Sequence, residues 1–305
     1  MKYVDIGGAG LRASAVAVGC MRISALGHSQ LSRFIHTALD CGVNFFDHAD
    51  IYGGGECESA FGRVLSGEPG LREKMVIQGK CGIGKGMYDF SKEHILESVD
   101  GILSRLNVEY LDLLLLHRPD ALMEPDEVGE AFDRLEAAGK VRRFGVSNFN
   151  SRQIDLLQSG LKQKLMVNQL QFGLMHTGLI DHAICANTQF PGSVDRDGGV
   201  LDYCRLNKLT IQAWSPFQYG FFEGVFLGSD KFPELNAKLT ELAGKYGVSE
   251  QAIATAWILR HPANMQVISG STNADRLKDI CTACDIELSR QDWYALYLAA
   301  GNQLP

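Results

Sequence analysis

The chain of 305 residues carries 29 Lys and Arg against 36 Asp and Glu, a formal net charge of -7, and 46% of its residues are hydrophobic. This composition is typical of a globular protein with a sizeable core, and it excludes disordered, collagen-like and coiled-coil chains. The negative charge argues against nucleic acid as a partner, and no apolar run approaches the ~20 residues that span a bilayer.

The first residues and the cysteines favour a cytoplasmic location. The stretch from Met1 to Asp5 already contains a lysine and an aspartate, so it lacks the apolar core of a signal peptide. The eight cysteines are scattered, unlike those of a disulfide-rich secreted domain, so we expect reduced thiols. Cys281 and Cys284 form one CxxC pair without a second pair or a histidine nearby. Packing is therefore favoured over metal binding for this pair, and no metal is expected.

Along the chain, short apolar or β-branched runs alternate eight times with longer helical patterns. A stretch from Tyr3 to Leu11 comes first and predicts a short hairpin that could plug the amino-terminal mouth of a barrel. Apolar spacing such as that of Leu31, Ile35 and Leu39 predicts the helices between the runs. The predicted strands span residues 16–19, 43–47, 75–80, 111–117, 141–148, 166–172, 210–215 and 266–271.

Strand alternating with helix predicts parallel pairing through right-handed crossovers. Eight such units over ~250 residues fit a closed barrel better than two doubly wound sheets. The predicted fold class is therefore α/β, a (β/α)₈ TIM barrel with a short amino-terminal hairpin and an extra carboxyl-terminal helix around Trp293 to Ala300. We expect residues 1–305 to form this single domain.

Two glycine motifs suggest nucleotide loops, but their contexts do not support that interpretation. Gly8 to Ala13 matches GxGxxA, yet a strand pattern follows where a helix is required, and the expected acidic residue is missing. Gly79 to Lys85 matches GxxxxGK, but Gly86 follows where magnesium binding needs Ser or Thr. We interpret both as loops or turns.

Barrel enzymes carry their chemistry at the carboxyl ends of their strands. Four candidate catalytic residues lie at or just beyond the second, third and fourth strands: Asp47, Tyr52, Lys80 and His117. A nearby lysine ammonium stabilises a tyrosine phenolate and lowers the tyrosine pKa, so Tyr52 could act as an acid with Lys80 as its tuner. Asp47 could neutralise a buried Lys80, and His117 could donate a hydrogen bond to a carbonyl oxygen.

Each of the four also has a purely structural interpretation. Asp47 could cap a turn, Tyr52 could pack on the glycines that follow it, Lys80 could be a solvated strand end, and His117 could be a barrel-rim histidine. Taken singly, these interpretations are favoured. Four complementary side chains on three successive strands are what an acid–base site requires, so together they indicate carbonyl reduction.

Three segments make the sequence recognisable: 42–53 around Asp47 and Tyr52, 115–119 around His117, and 145–149 around Asn148. Along essentially its whole length the chain resembles the aldo-keto reductase superfamily. Residues 214–217 and 288–294 look closest to a bacterial branch of oxidoreductases. The resemblance implies a (β/α)₈ reductase that uses NADPH, with Asp47, Tyr52, Lys80 and His117 as its catalytic tetrad.

The same resemblance implies where NADPH lies. The nicotinamide maps onto Ser147, Asn148 and Gln169, all neutral side chains that both donate and accept hydrogen bonds. For Ser147 and Asn148, capping of the helix over 153–157 remains an equal alternative. An aromatic stacking position maps onto Trp214 or Ser215, depending on the register, and the pyrophosphate follows the backbone from Phe217 to Gly220.

An adenosine 2′-phosphate site is implied after the eighth strand. The hydroxyls, helix start and guanidinium that would suit a dianion belong to Gly270, Ser271, Thr272 and Arg276. Two departures from the family concern Ser269, where a lysine is common, and Asp279, which stands near the expected adenine position. The remaining expected cofactor contacts are Met21, Arg22 and Asp47.

The leading interpretation is an NADPH-dependent reductase of aldehydes or ketones, free-standing, with a small carbonyl compound as partner and a monomer slightly favoured. The alternative is a regulatory subunit of the same superfamily that senses the nucleotide without catalysis. A third possibility is an unrelated barrel lyase in which Lys80 forms a Schiff base. That activity would not explain the phosphate site implied at Ser271 and Arg276. A short carboxyl terminus and a lid over 216–233 predict an open pocket for flat aromatic aldehydes or small dicarbonyls, lined also by Tyr88, Phe90 and Arg118.

Overall fold

Eight parallel strands close a barrel in a computed structural model that describes all 305 residues. The strands of the molecule are β1 (Tyr3–Ile6), β2 (Leu11–Ser14), β3 (Val16–Gly19), β4 (Phe45–Asp47), β5 (Val76–Cys81), β6 (Ile83–Gly84), β7 (Met87–Tyr88), β8 (Leu113–Leu116), β9 (Phe144–Ser147), β10 (Leu165–Gln171), β11 (Thr210–Trp214), β12 (Gln218–Tyr219), β13 (Gly224–Val225) and β14 (Met265–Ser269). Around the barrel run β3, β4, β5, β8, β9, β10, β11 and β14, which pairs back with β3. The predicted fold class and all eight predicted barrel strands are thereby confirmed.

Eleven α-helices accompany the strands. They are α1 (His28–Asp40), α2 (Glu56–Gly67), α3 (Lys92–Leu106), α4 (Pro125–Ala137), α5 (Ser151–Ser159), α6 (Gly178–Ile184), α7 (Val200–Asn207), α8 (Pro233–Tyr246), α9 (Glu250–Leu259), α10 (Ala274–Cys281) and α11 (Arg290–Ala299). The last of these is the predicted extra helix. None of the helices combines the length and the apolar character that crossing a lipid bilayer requires.

The barrel strands are buried because helices cover the sheet on the outside and side chains fill it on the inside. Every residue of β3, β5, β8, β9 and β14 is buried. This two-sided burial is why parallel strands appear in the sequence as continuous apolar runs. One apolar core lies between sheet and helices, and a smaller one, including Phe45, Leu113 and Val167, fills the barrel towards its amino-terminal end.

The amino-terminal mouth of the barrel is closed by the β1–β2 hairpin. The Gly7 amide donates to Thr210 Oγ1 at 2.9 Å, and Asn264 Nδ2 donates to the Asp5 carbonyl at 2.7 Å. The hairpin therefore packs on the starts of the barrel strands, as expected for a plug, but it extends to Ser14 rather than Leu11. Gly8 and Gly10 take positive φ angles in its turn, so the GxGxxA match is a tight turn and not a nucleotide loop.

The loops at the carboxyl-terminal end of the barrel carry two further hairpins. Residues after β5 form the β6–β7 hairpin, which accounts for the GxxxxGK match as a turn. The β12–β13 hairpin rises from the long segment after β11, the predicted lid. These hairpins and the strand ends surround a cavity.

Candidate active site

A cavity of about 710 Å³ opens at the carboxyl-terminal end of the barrel. The barrel fold predicts this position, because the carboxyl ends of all eight strands converge there. Most of the residues singled out in the sequence line its wall: Met21, Arg22, Asp47, Tyr52, His117, Ser147, Asn148, Gln169, Trp214, Ser215, Phe217, Gly270, Ser271 and Arg276. Lys80 lies directly beneath this wall and is fully buried.

At the floor of the cavity, one buried ammonium joins an acid to a phenol. Lys80 Nζ lies 2.7 Å from Asp47 Oδ1 and donates to Tyr52 Oη at 3.1 Å. Its third donor reaches the His48 carbonyl at 2.9 Å. All three N–H bonds of the ammonium are therefore used, and its charge is balanced by Asp47 within a buried ion pair.

Ionisation of this trio follows from burial and from the ion pair. Burial lowers the pKa of Lys80, but Asp47 and Tyr52 oppose it and leave the pKa above its ordinary value, so the ammonium stays charged. Burial raises the pKa of Tyr52, and Lys80 offsets only part of that effect. Lys80 therefore acts on the Tyr52 pKa in the predicted direction, but burial outweighs it and the pKa lies above its usual value. Tyr52 is held as a protonated donor at neutral pH.

His117 faces Tyr52 across the cavity floor. The two rings meet edge to face with centroids 6.1 Å apart. Burial, and then the charges of Lys80 and Arg118, lower the pKa of His117 well below its ordinary range. The imidazole is therefore neutral, and its Nδ1 has no partner within the protein. A neutral imidazole donates through one nitrogen only, which suits a hydrogen bond to a carbonyl oxygen.

Ser147, Asn148 and Trp214 form a connected wall beside the tetrad. Asn148 has a φ of 63°, and its Nδ2 donates to Ser147 Oγ at 2.8 Å. Trp214 Nε1 donates to Asn148 Oδ1 at 3.1 Å, which ties the indole to the same wall. The capping alternative for Ser147 and Asn148 is wrong, because Asn150 caps α5 by accepting from the Gln153 amide. The sequence left open whether Trp214 or Ser215 faces the cavity. Both residues line it.

Gln169 completes this wall from β10. Its Nε2 donates to Asp47 Oδ1 at 3.2 Å and to Gln212 Oε1 at 2.9 Å. Both amide hydrogens are used, while Oε1 has no partner in the protein and Gln169 lines the cavity. The side chain therefore offers an acceptor to a bound group and no donor.

The far end of the cavity is cationic. Arg276 lies in the first turn of α10 and has no carboxylate within ion-pair distance, whereas Asn273 caps that helix by accepting from the Arg276 amide at 2.9 Å. Arg22 Nη2 donates to the Gly270 carbonyl at 2.6 Å and so joins the loops after the first and last barrel strands. An unpaired guanidinium at a helix start suits a phosphate.

Three predicted cofactor residues do not line the cavity: Gly220, Thr272 and Asp279. Gly220 lies in the turn of the β12–β13 hairpin with a φ of 58°, and Asp279 is an exposed residue one helical turn beyond Arg276. The prediction that Phe90 lines the cavity is also wrong, because Phe90 is buried and stacks on Phe149. A Cβ on Gly82 would lie 2.3 Å from the Phe90 ring, so this ring fills the space behind the strand end.

The β12–β13 hairpin borders the cavity with aromatic side chains. Phe222 stacks on Trp214 with ring centroids 6.1 Å apart, and Phe221 is 68% exposed beside it. Lys231 Nζ donates to Tyr219 Oη at 3.0 Å and ties the end of the segment to the hairpin. The long segment predicted as a lid is thus an ordered hairpin over one side of the cavity.

Sequence reasoning missed several polar residues of the site. Gln251, at the start of α9, lines the cavity with a buried Oε1 that lacks a partner. Gln78, Gln212 and Gln266 lie inside the barrel below Asp47 and are fully buried. The sequence does contain a signal for these residues, namely a glutamine within a predicted buried strand. Burial of its amide costs free energy unless the amide is hydrogen-bonded, so a polar partner should be expected.

Comparison with known proteins agrees with this fold. The model of the Aldo/keto reductase family matches residues 15–297, so the chain belongs to that family. It is 35% identical to a 6-dehydroglucose reductase of Novosphingobium aromaticivorans, over 99% of this chain and 97% of the relative. It is 38% identical to the oxidoreductase YdhF of Escherichia coli, over 90% of this chain and 89% of the relative.

Among solved structures, an aldo-keto reductase from Klebsiella pneumoniae in complex with NADPH superimposes with a TM-score of 0.78. That structure is 23% identical and covers 99% of this chain and 96% of its own. The likeness confirms the barrel fold. The bacterial relatives confirm the resemblance to a bacterial branch of oxidoreductases.

Proposed function

We propose that the protein reduces an aldehyde or ketone to the alcohol with NADPH, and that Tyr52 supplies the proton. The observation that carries this proposal is the buried chain Asp47–Lys80–Tyr52, with separations of 2.7 Å and 3.1 Å, at the floor of the cavity. Membership in the Aldo/keto reductase family supports the reaction class. Bound NADPH supplies the hydride that the side chains cannot.

The proton route follows from the ionisation of the site. Tyr52 is protonated at neutral pH, so it can donate its proton to the carbonyl oxygen as the alcohol forms. The phenolate left behind lies 3.1 Å from the Lys80 ammonium, which stabilises it until the proton is replaced from solvent. His117, which is neutral, donates a hydrogen bond to the same carbonyl oxygen and holds the substrate in place.

The cavity residues fit NADPH by charge and hydrogen-bonding type. The unpaired Arg276 guanidinium and the hydroxyl of Ser271 would hold a 2′-phosphate, and no ion pair competes for Arg276. Gln169 Oε1 would accept from the amide group of the nicotinamide, and the Trp214 indole offers a flat apolar surface. The predicted residues Gly220, Thr272 and Asp279 lie outside this cavity and are not part of the proposed site.

Small, flat carbonyl compounds are the proposed substrates. No residue beyond Arg276 lines the cavity, so α11 and residues 301–305 contribute no wall. Arg118, whose guanidinium lies 5.7 Å from the Trp214 ring centroid, and the exposed Phe221 give the wall a mixed cationic and aromatic character. A relative named as a 6-dehydroglucose reductase adds a polyhydroxylated aldehyde to the compounds worth testing.

The experiment is a turnover assay that follows NADPH absorbance with four carbonyl compounds. A small aromatic aldehyde, a small dicarbonyl, 6-dehydroglucose and a 3-ketosteroid are compared by kcat/KM. We expect turnover with at least one of the first three and a lower kcat/KM for the steroid. NADPH binding without turnover of any compound would contradict catalysis and favour a nucleotide-sensing regulatory subunit, and a higher value for the steroid would contradict the proposed substrate size.

A further inference from the structure

Four buried glutamines form a hydrogen-bonded layer beneath Asp47. Gln169, Gln212 and Gln266 are register neighbours on β10, β11 and β14, and Gln78 is the register neighbour of Asp47. All four are at most 3% exposed. Bulky branched side chains usually fill the interior of such barrels, and apolar residues do so here in the layer below. Four buried amides therefore call for a specific reason.

The amides satisfy one another almost completely. Gln212 makes four bonds: its Nε2 donates to Gln78 Oε1 at 3.0 Å and to Gln266 Oε1 at 2.9 Å, and its Oε1 accepts from Gln78 and Gln169, both at 2.9 Å. Gln78 Nε2 also donates to Asp47 Oδ1 at 2.5 Å. Gln212 is thus the centre that links the other three glutamines.

Two acceptors at the ends of the layer fix the orientation of every amide within it. Gln266 Nε2 donates to the Ser14 carbonyl at 2.7 Å, and a carbonyl oxygen can only accept. Gln266 must therefore present Oε1 to Gln212, and Gln212 must present Nε2 to Gln266. At the other end, the Asp47 carboxylate likewise accepts from Gln78 and from Gln169.

These hydrogen bonds also fix the orientation of the Gln169 amide. Since Gln212 turns its Oε1 towards Gln169, and Asp47 also accepts, both hydrogens of Gln169 Nε2 are committed. Its Oε1 is left as the atom that faces the cavity. Rotation of this amide by 180° would place Gln169 Oε1 against both Asp47 Oδ1 and Gln212 Oε1, two acceptors that cannot donate to it.

We propose that Gln212, supported by Gln78 and Gln266, is a positioning residue that sets the polarity of the cofactor site. It fixes Asp47 Oδ1 under Lys80 and turns the Gln169 carbonyl oxygen to the cavity, so that the site selects an amide N–H from its dinucleotide. This inference rests on the proposed use of NADPH. It assigns a function to three buried residues that contact neither the cavity nor the reacting atoms.

The test compares NADP⁺ with its 3-acetylpyridine analogue, in which a methyl group replaces the amide NH₂. Dissociation constants are measured by quenching of tryptophan fluorescence. In the wild-type protein the analogue should bind about 3- to 10-fold more weakly, the effect of one neutral hydrogen bond. In Gln212→Met the Gln212 acceptor is gone and only the longer contact with Asp47 at 3.2 Å still opposes rotation of the Gln169 amide. Rotated amides can donate to the acetyl oxygen, so this ratio should fall towards one.

Two further variants and a control complete the design. Gln78→Met removes a donor to Asp47 but leaves Gln169 fixed, so kcat should fall while the analogue ratio stays at the wild-type value. Gln212→Met/Gln266→Met, which does not orphan Gln266 Oε1, replaces Gln212→Met if that variant does not fold. Gln163→Met removes a buried glutamine at the opposite end of the barrel, where its Nε2 donates to Asp133 and Glu136, and should leave the ratio unchanged.

The outcomes separate this inference from the proposed function. A wild-type protein that binds neither dinucleotide overturns both. A wild-type protein that discriminates, together with a folded Gln212→Met variant that discriminates equally well, overturns the positioning role alone. A wild-type ratio of one also overturns it, because Gln169 would then select no N–H.

Discussion

Replacement of Lys80 tests whether the buried ion pair is as tightly coupled as its geometry indicates. Lys80→Met removes the bonds to Asp47 Oδ1 at 2.7 Å, to the His48 carbonyl at 2.9 Å and to Tyr52 Oη at 3.1 Å. It leaves the Asp47 charge buried with amide donors only. Breaking a buried pair in this way costs about 3–5 kcal/mol of the free energy of unfolding.

Two further variants measure the coupling energy between Lys80 and Asp47. Asp47→Asn alone should cost a similar amount, because it leaves the Lys80 charge unbalanced. In Lys80→Met/Asp47→Asn both charges are gone, so the double variant should recover at least ~2 kcal/mol relative to the sum of the single losses. Lys140→Met, which removes the same side chain from an exposed pair with Asp100, should cost little.

Urea unfolding at pH 7, followed by tryptophan fluorescence, provides the free energies. Additive losses in the double variant, or a Lys80→Met loss as small as that of Lys140→Met, would refute the assignment of Lys80 and Asp47 as a buried, mutually neutralising pair.

Three other predictions concern Arg276, His117 and Asp50, a carboxyl outside the cavity whose buried Oδ1 has no hydrogen-bond partner in the protein. Arg276→Ala should weaken NADPH binding by about 10- to 100-fold and NADH binding very little, since only NADPH has a 2′-phosphate to lose; equal weakening in fluorescence titrations would contradict the phosphate site. Because the pKa of His117 lies well below its ordinary range, the pH profile of reduction should show no inflection between about pH 5.5 and 7.5; an inflection near 6.5 that disappears in His117→Gln would show that the imidazole titrates there. Burial raises the pKa of Asp50 to about 6, so the folded state loses stability as pH rises from about 4 through 6. Asp50→Asn should therefore be more stable than the wild type at pH 7.5, by at most about 3 kcal/mol, and no more stable at pH 3.5, as measured by urea unfolding.

The sequence was sufficient for the architecture because the barrel strands are buried on both faces. Leu113 to Leu116 form an uninterrupted apolar run, and every one of these residues is fully buried in β8. The predicted tetrad also follows from the fold, since Asp47, Lys80 and His117 lie at or just beyond the carboxyl ends of β4, β5 and β8, which pair directly with one another in that order.

The sequence could not predict the hydrogen-bond partners of individual side chains or the depth at which a side chain is buried. Asn148 and Asn150 stand two residues apart, and only the hydrogen bonds of the folded chain show that Asn150 caps the helix while Asn148 bonds to Trp214. The direction of the Tyr52 pKa shift depends on how deeply the phenol is buried, which no motif encodes.

The glutamine layer was missed for a different reason. Gln78, Gln169, Gln212 and Gln266 come from four strands spread over most of the chain, so no local motif links them. Their hydrogen bonds exist only after the barrel has closed. A single buried glutamine in a strand predicts a partner, but it does not say which strand provides that partner.

The most direct test of the central claim is the turnover number of Tyr52→Phe with NADPH and a carbonyl compound that the wild-type protein reduces. This variant removes only the hydroxyl that lies 3.1 Å from Lys80 Nζ. We predict a fall in kcat of ~10²-fold or more, the usual scale for the loss of a general acid, with an NADPH dissociation constant within about twofold of the wild type. Unchanged reduction kinetics in Tyr52→Phe would contradict the account.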